Sequence, residues 1–296
     1  MYLSVDGGAT KTHILLLDDQ FNPVKQFTQG SFNFSNINPK KATAQLSALL
    51  KSQNINNISR AVFGLSGMDT LEEKLSAQAI LASTFSFPVR VTNDAHMALL
   101  AGSDSPDAIV IIAGTGSHCY GFNRQGQSAK TSGLDWILTD EGSGFAIGWE
   151  ILRSAVRSFD GRGQKTCLES LVLDHFNIDH IYDLKKIFYL NPFSKNQIAA
   201  LSPLLDIALT NNDPVAHLIL ENNIGQLLIA LRPVVDRLQL TNQYFELVLA
   251  GSLFSQKVIP SQNFIAGVNR EYSQSKVILL QKDPVWGGIK ILKSSA

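Results

Sequence analysis

The 296-residue chain is poor in cysteine, methionine and tryptophan, with 2, 3 and 3 of them. The two thiols, Cys119 and Cys167, cannot supply a disulfide framework, and their spacing fits no zinc or iron–sulfur pattern. Such sparse use of cysteine suits a reducing compartment, and both read as small core residues. Net charge is missing too. The 25 basic and 25 acidic side chains cancel, and no run of Lys or Arg is longer than two. That removes the electrostatic grip expected of a protein that binds nucleic acid or an anionic membrane. The opening residues Met1-Tyr2-Leu3-Ser4-Val5-Asp6 have neither a basic stretch nor the apolar core of a leader. No apolar stretch approaches the ~18 residues of a bilayer span. The expectation is a cytoplasmic protein with neither nucleic acid nor membrane as a partner.

What is present is a chain 45% hydrophobic and 17% charged, long enough to bury its cores without a disulfide or structural metal. Strands are expected at Leu3–Val5, His13–Leu17, near Val24–Phe27, at Arg60–Leu65 and at Val89–Thr92. Asn38-Pro39 opens a helix, with Asn at the cap and Pro at the first helical position. Thr70 and Glu73 form a capping box for another, to about Ser83. The pattern then restarts. Ala108–Ala113 is a buried strand, followed by a glycine turn, a strand His118–Asn123, a turn at Gln125-Gly126 and a further strand. Helices follow at about 143–158, 165–177, 181–189, 195–210 and 214–239, with Pro233 expected to kink or shorten the last. Phe245–Ala250 and Val277–Leu280 complete the strands, and Asp283-Pro284 is read as the cap of a terminal helix. Two copies of one theme therefore begin near residues 2 and 108, with Ser103–Asp107 as the boundary. The reading is a first domain at 1–106 and a second at 107–296, with the terminal helix 285–296 packing back on the first.

Five short segments carry more polar function than their turns require. The first is Asp6-Gly7-Gly8-Ala9-Thr10-Lys11-Thr12, between two strands. Its glycines admit close backbone approach, successive N–H groups can form an anion nest, and a carboxylate ending a buried strand is costly unless it meets a metal or donors. The second, Ala113-Gly114-Thr115-Gly116-Ser117, is placed in the same way. Together they read as two phosphate-type hairpins facing each other across a cleft. In the third, Leu249-Ala250-Gly251-Ser252-Leu253-Phe254, a strand ends in Gly-Ser where a helix begins, a place for an adenosine moiety. The fourth, Thr92-Asn93-Asp94-Ala95, sets a carboxylate at a strand exit, and Asp94 is the candidate general base. The fifth is Thr139-Asp140-Glu141-Gly142-Ser143-Gly144, with small residues for a sugar ring and Asp140 to accept from its hydroxyls.

Two lookalikes fail. Gly161-Arg162-Gly163-Gln164-Lys165-Thr166 lacks the glycine that must precede the lysine of a P-loop, and Gly142–Gly148 has the wrong spacing for a dinucleotide fingerprint. The histidines show no metal-ligand spacing.

In order and spacing, these five segments resemble the motif set of the actin/hexokinase/Hsp70 superfamily: Asp6–Thr12 is similar to its first phosphate motif, Ala113–Ser117 to its second and Leu249–Phe254 to its adenosine motif. Within that superfamily, Gly114-Thr115-Gly116-Ser117 followed by Asp140-Glu141-Gly142-Ser143 is similar to the N-acetylglucosamine kinase group of the BadF/BadG/BcrA/BcrD ATPase family. The resemblance implies an α/β fold of two ribonuclease H-like, actin-like ATPase domains with an interdomain cleft. It implies ATP and Mg2+ as cofactors and phosphorylation of an amino sugar, N-acetylglucosamine to its 6-phosphate. Asp94 would be the base. Gly7, Gly8, Thr10, Lys11, Gly114, Thr115, Gly116, Gly251 and Ser252 would bind ATP, and Asp6 would face the metal, through water or directly. Asn33, Ser66, Asp94, Ser117, His118, Gly133, Asp140 and Gly144 would contact the sugar, with His118 standing where the family can have an asparagine. The alternatives are a glucosamine kinase and an ATP-driven activator of a partner enzyme. The activators of this family hold an iron–sulfur cluster between subunits through cysteines, and Cys119 and Cys167 do not match that pattern. A homodimer is compatible with this reading.

Overall fold

In the first half of the chain, side chains alternate between two buried faces of one sheet. Leu3 and Val5 of β1 (Tyr2–Gly7) enter one core, together with Ile14 and Leu16 of β2 (Lys11–Leu17). Leu15 and Leu17 of β2 enter a second core on the opposite face. This period of two is what a sheet covered on both sides requires. The computed structural model describes residues 1–8, 11–32, 34, 38–190, 194–255 and 261–294, with the side chain of residue 261 set aside.

Two compact units result: Met1–Ser105 with Leu280–Ala296, and Pro106–Leu279. In the first, β3 (Pro23–Gly30) extends the β1–β2 hairpin, while β4 (Arg60–Leu65) and β5 (Val89–Asn93) run parallel to β1, giving the order β3-β2-β1-β4-β5. One face carries α1 (Pro39–Ser52) and α2 (Leu71–Thr84), through Leu46, Leu50, Ala77 and Leu81. The other carries α3 (Asp94–Gly102) and the C-terminal segment, through Met97, Val285, Ile291 and Leu292. The expected caps are present. Asn38 accepts from the N–H of Lys40, with Pro39 leading the helix, and Thr70 and Glu73 close a reciprocal capping box.

The second unit repeats the topology. β6 (Ala108–Ala113) pairs antiparallel with β7 (Ser117–Phe122), which pairs with β8 (Ser128–Ser132). After α4 (Gly144–Asp160), α5 (Leu168–Phe176), α6 (Leu184–Leu190), α7 (Lys195–Ala199), α8 (Leu204–Thr210) and α9 (Pro214–Arg237), strand β9 (Glu246–Ala250) lies parallel to β6. Then come α10 (Ser252–Ser255), α11 (Ser261–Glu271) and β10 (Lys276–Leu279). The order β10-β9-β6-β7-β8 mirrors that of the first sheet.

Three details correct the sequence reading. The helix expected over 195–210 is two helices, with Pro203 as the residue that opens the second; a proline pushes its predecessor away from helical angles. Pro233 neither ends nor shortens α9, which continues to Arg237. The carbonyl that Pro233 cannot reach belongs to Ile229, a half-exposed residue whose carbonyl water can satisfy. Asp283 precedes a short 3-10 turn, Pro284–Gly287, and not the terminal helix Gly288–Ser294 itself, and its side chain caps neither: the carboxylate accepts from Gln26 Nε2 at 2.9 Å and lies 3.3 Å from His13 Nδ1. By length and mean composition α9 also passes for a bilayer span, although polar residues interrupt its apolar runs. Its Ile219, Leu220, Leu227, Leu231 and Val235 belong to the core of the second unit, which accounts for that apolarity.

Candidate functional site

In the first unit, the register sets the site. Asp6 pairs with Gly64, and Gly64 with Thr92; one step on, Gly7, Leu65 and Asn93 are aligned. The C-terminal ends of β1, β4 and β5 therefore deliver Asp6, Ser66 and Asp94 to one edge of the sheet, the edge where parallel strands present their ligands. Ser66 donates to the Gly7 carbonyl from both its N–H, at 3.1 Å, and its Oγ, at 3.3 Å. The turn after β1 is closed by the Gly8 N–H donating to the Lys11 carbonyl at 3.1 Å, so one of the expected nest donors is spent inside the turn. Gly7 is demanded by packing as well as by any ligand, since a Cβ there would lie 2.7 Å from Leu65 Cδ2 and 3.2 Å from Phe32 Cβ. Lys11 is exposed. Thr10 and Asn33 lie outside the described residues.

Asp94 begins α3 directly after Asn93, which caps the helix by accepting the His96 N–H at 2.7 Å. Asp94 Oδ1 accepts from the Ala95 N–H at 2.9 Å. Burial raises the pKa of Asp6 well above the usual carboxylate range, with Asp94 and then Asp283 adding to the shift. A carboxylate in that position gains from a cation or from strong donors. His96 is no rival as a base: burial, then Arg90 and Lys74, depress its pKa to about 4, and its Nδ1 sits 2.9 Å from Thr92 Oγ1.

In the second unit the predicted residues form one connected set. The Gly114 N–H donates to the Gly116 carbonyl at 2.9 Å, closing the glycine turn. The first N–H groups of α4 then clasp that turn, Gly144 donating to the Gly114 carbonyl at 2.7 Å and Phe145 to that of Thr115 at 3.3 Å. Helix N-termini have orphan donors, and here the turn satisfies two of them. Ser143 caps the helix by accepting the Ala146 N–H, and Ser117 Oγ donates to the Glu141 carbonyl at 2.6 Å. His118 faces Gly133, where a Cβ would be 2.8 Å from that of His118. Gly251, at φ +101°, lets the end of β9 press against the backbone of Ala113, and a Cβ on Gly114 would be 3.5 Å from Ser252 Oγ.

Asp140 is buried and takes a left-handed φ of +72°. Its Oδ2 is not open to a ligand alone, because Lys195 Nζ donates to it at 2.6 Å and to Asp135 Oδ1 at 2.8 Å.

Each unit thus sets a glycine turn near acidic side chains, and comparison with known proteins decides the family. The model of the BadF/BadG/BcrA/BcrD ATPase family matches residues 3–287. The chain belongs to the BadF/BadG/BcrA/BcrD ATPase family. It is 29% identical to the N-acetylmuramic acid/N-acetylglucosamine kinase of Clostridium acetobutylicum, over 99% of this chain and 98% of that one. It is 27% identical to the N-acetyl-D-glucosamine kinase of Dictyostelium discoideum, over 100% of this chain and 98% of the relative. Among solved structures, a provisionally named N-acetylglucosamine kinase from Chromobacterium violaceum superposes with a TM-score of 0.78 at 21% identity, covering 98% of both chains. The fold is accordingly the actin-like ATPase fold, built here from two α/β units.

Lys195, the partner that the structure gives Asp140, has no place in the sequence reading. It stands 55 positions beyond Asp140, and the only local signal is the capping box of Ser194 and Gln197 that seats it at the first position of α7. Burial opposes its charge, but the bonds to Asp135 and Asp140 outweigh it and raise its pKa. Gly148 completes the arrangement, since any Cβ there would collide with the Ile198 carbonyl and push α7 off α4.

Proposed function

We propose that this protein is a soluble, cytoplasmic ATP-dependent kinase of an amino sugar, converting N-acetylglucosamine to N-acetylglucosamine 6-phosphate. One observation carries the reading: the register of β1, β4 and β5 brings the half-buried Asp6 and Asp94 to one sheet edge beside a glycine turn, where Asp94 adds to the burial that raises the pKa of Asp6. Two carboxylates in unequal settings can divide between holding a cation and moving a proton. The names of the full-length relatives supply the acceptor.

In this assignment Asp94 accepts the proton of the attacking hydroxyl. Gly7, Gly8, Thr10 and Lys11 in the first unit, and Gly114, Thr115, Gly116, Gly251 and Ser252 in the second, act on the nucleotide. Asn33, Ser66, Ser117, His118, Gly133, Asp140 and Gly144 act on the sugar. Asp6 suits Mg2+, because a half-buried carboxylate crowded by Asp94 and Asp283 is relieved by a hard dication. Among the described residues no group of three or more His, Cys, Asp or Glu could hold a metal, so the magnesium would arrive with the nucleotide phosphates and meet Asp6 directly or through water. When bound it neutralises phosphate charge. The protein residues then position the acceptor and exclude water from it.

The test is ADP release across N-acetylglucosamine, glucosamine, N-acetylmuramic acid, N-acetylmannosamine and glucose. The highest kcat/KM is expected for N-acetylglucosamine. A clear preference for glucosamine would move the assignment to a glucosamine kinase, and activity on no sugar would overturn it.

A further inference from the structure

We infer that Lys195 is a positioning residue for the sugar-contacting carboxylate of Asp140, a role that rests on the amino-sugar kinase reading above. Asp140 is only 3% exposed, and Lys195 holds its Oδ2 at 2.6 Å. A carboxylate so buried needs a partner, and the partner sets its direction. The same ammonium holds Asp135 Oδ1 at 2.8 Å. Asp135 lies in the Gly133–Thr139 loop, which also presents exposed Leu134, Ile137 and Leu138. Both members of the inner pair press on the second glycine turn: a Cβ on Gly116 would lie 2.6 Å from Asp140 Oδ2 and 2.9 Å from Lys195 Nζ. One side chain therefore joins three pieces of the site: the loop, the buried carboxylate and the turn.

Its base is rigid. The Ser194 N–H donates to Gln197 Oε1 at 2.8 Å and Ser194 Oγ accepts the Gln197 N–H at 3.3 Å, fixing the first turn of α7. Gly148 lets that helix meet α4 at backbone distance. Functional groups held by packed elements keep their geometry better than groups on free loops. Lys195 already spends its charge on two aspartates, which argues for an action through Asp140 and against a direct grip on phosphate.

The test is a cycle of variants: Lys195→Met, Lys195→Arg, Asp140→Asn and the double variant K195M/D140N. Each is checked for folding by circular dichroism and thermal melting, and assayed for kcat and for KM of N-acetylglucosamine and of ATP. Lys195→Met is expected to raise the sugar KM about tenfold or more, as a small displacement of a positioned group does, while the KM of ATP stays within about twofold. Lys195→Arg should restore most of the loss. In the Asp140→Asn background, removing Lys195 should add less than about twofold, since it has nothing left to position. If Lys195→Met does not fold, Lys195→Gln closes the same cycle. An unchanged sugar KM, a rise confined to ATP, or penalties that multiply in the double variant would each overturn the role. A wild-type protein inactive on every sugar would overturn the kinase reading itself, a different result from an active wild type with an indifferent Lys195 variant.

Discussion

Replacing Asp94 by Asn removes one proton-accepting oxygen and leaves the shape almost unchanged. The helix that carries it keeps its cap, because Asn93 and not Asp94 accepts the His96 N–H. The 2.9 Å bond from the Ala95 N–H survives, since an amide oxygen accepts as a carboxylate does. What the helix loses is a negative charge in its first turn, worth about 0.3–1 kcal/mol. Against that, Asp6 is freed of a like charge that had been raising its pKa. The two effects oppose each other, so the net change in stability should stay below about 1 kcal/mol. Catalysis should respond on another scale. A general base contributes about 10²–10⁴ in rate, or about 3–5 kcal/mol at 1.36 kcal/mol per decade. A coupled ADP assay with saturating N-acetylglucosamine should show kcat falling by that factor, while ATP affinity measured by calorimetry stays within about threefold. A variant that phosphorylates the sugar at a near-wild-type rate would refute the assignment of Asp94. One that loses ATP affinity along with turnover would show a structural part in place of a chemical one.

Asp6 binds its proton more tightly in the folded than in the unfolded chain, so its contribution to stability is complete below the unfolded value, near 3.8, and is lost as pH rises through the elevated folded value. Asp6→Asn should therefore raise the melting temperature at pH 7, without nucleotide or magnesium, while abolishing turnover; a lower melting temperature would contradict the sign. Gly251→Ala forces a side chain to φ +101° against the Ala113 backbone, and should destabilise by about 1–3 kcal/mol in urea; an unchanged midpoint would refute the packing argument. The thiol of Cys119 is fully buried, and burial pushes its pKa up. It should resist thiol reagents until the chain unfolds, and labelling of both cysteines at equal speed in the native protein would refute that.

Much of this architecture can be read in local chemistry. The strands Arg60–Leu65 and Ala108–Ala113 end where their apolar runs end, and the capping residues Asn38 and Thr70 mark true helix starts. Such features are written within a few residues of where they act. The misreadings share the opposite property. The break before α8 depends on Pro203 outweighing an apolar pattern that continues past it. Asp283 looks like a cap beside Pro284, yet finds Gln26 on a strand 257 positions away. The glycine turns were read for ligand approach, but Gly7 and Gly251 are also demanded by Phe32, Leu65 and Ala113, neighbours supplied by the fold. Lys195 is the clearest case. Its neighbours in sequence say only that a helix begins, and its meaning comes from Asp140 and Asp135 after folding.

The central claim is that phosphate passes from ATP to a hydroxyl of an amino sugar and not to water. Phosphorus NMR of the protein with ATP, Mg2+ and N-acetylglucosamine reads this directly. The account predicts ADP and a sugar phosphomonoester growing in equal amounts, with the new resonance coupled to the protons on carbon 6. ADP accompanied only by inorganic phosphate, at a rate indifferent to the sugar, would contradict it.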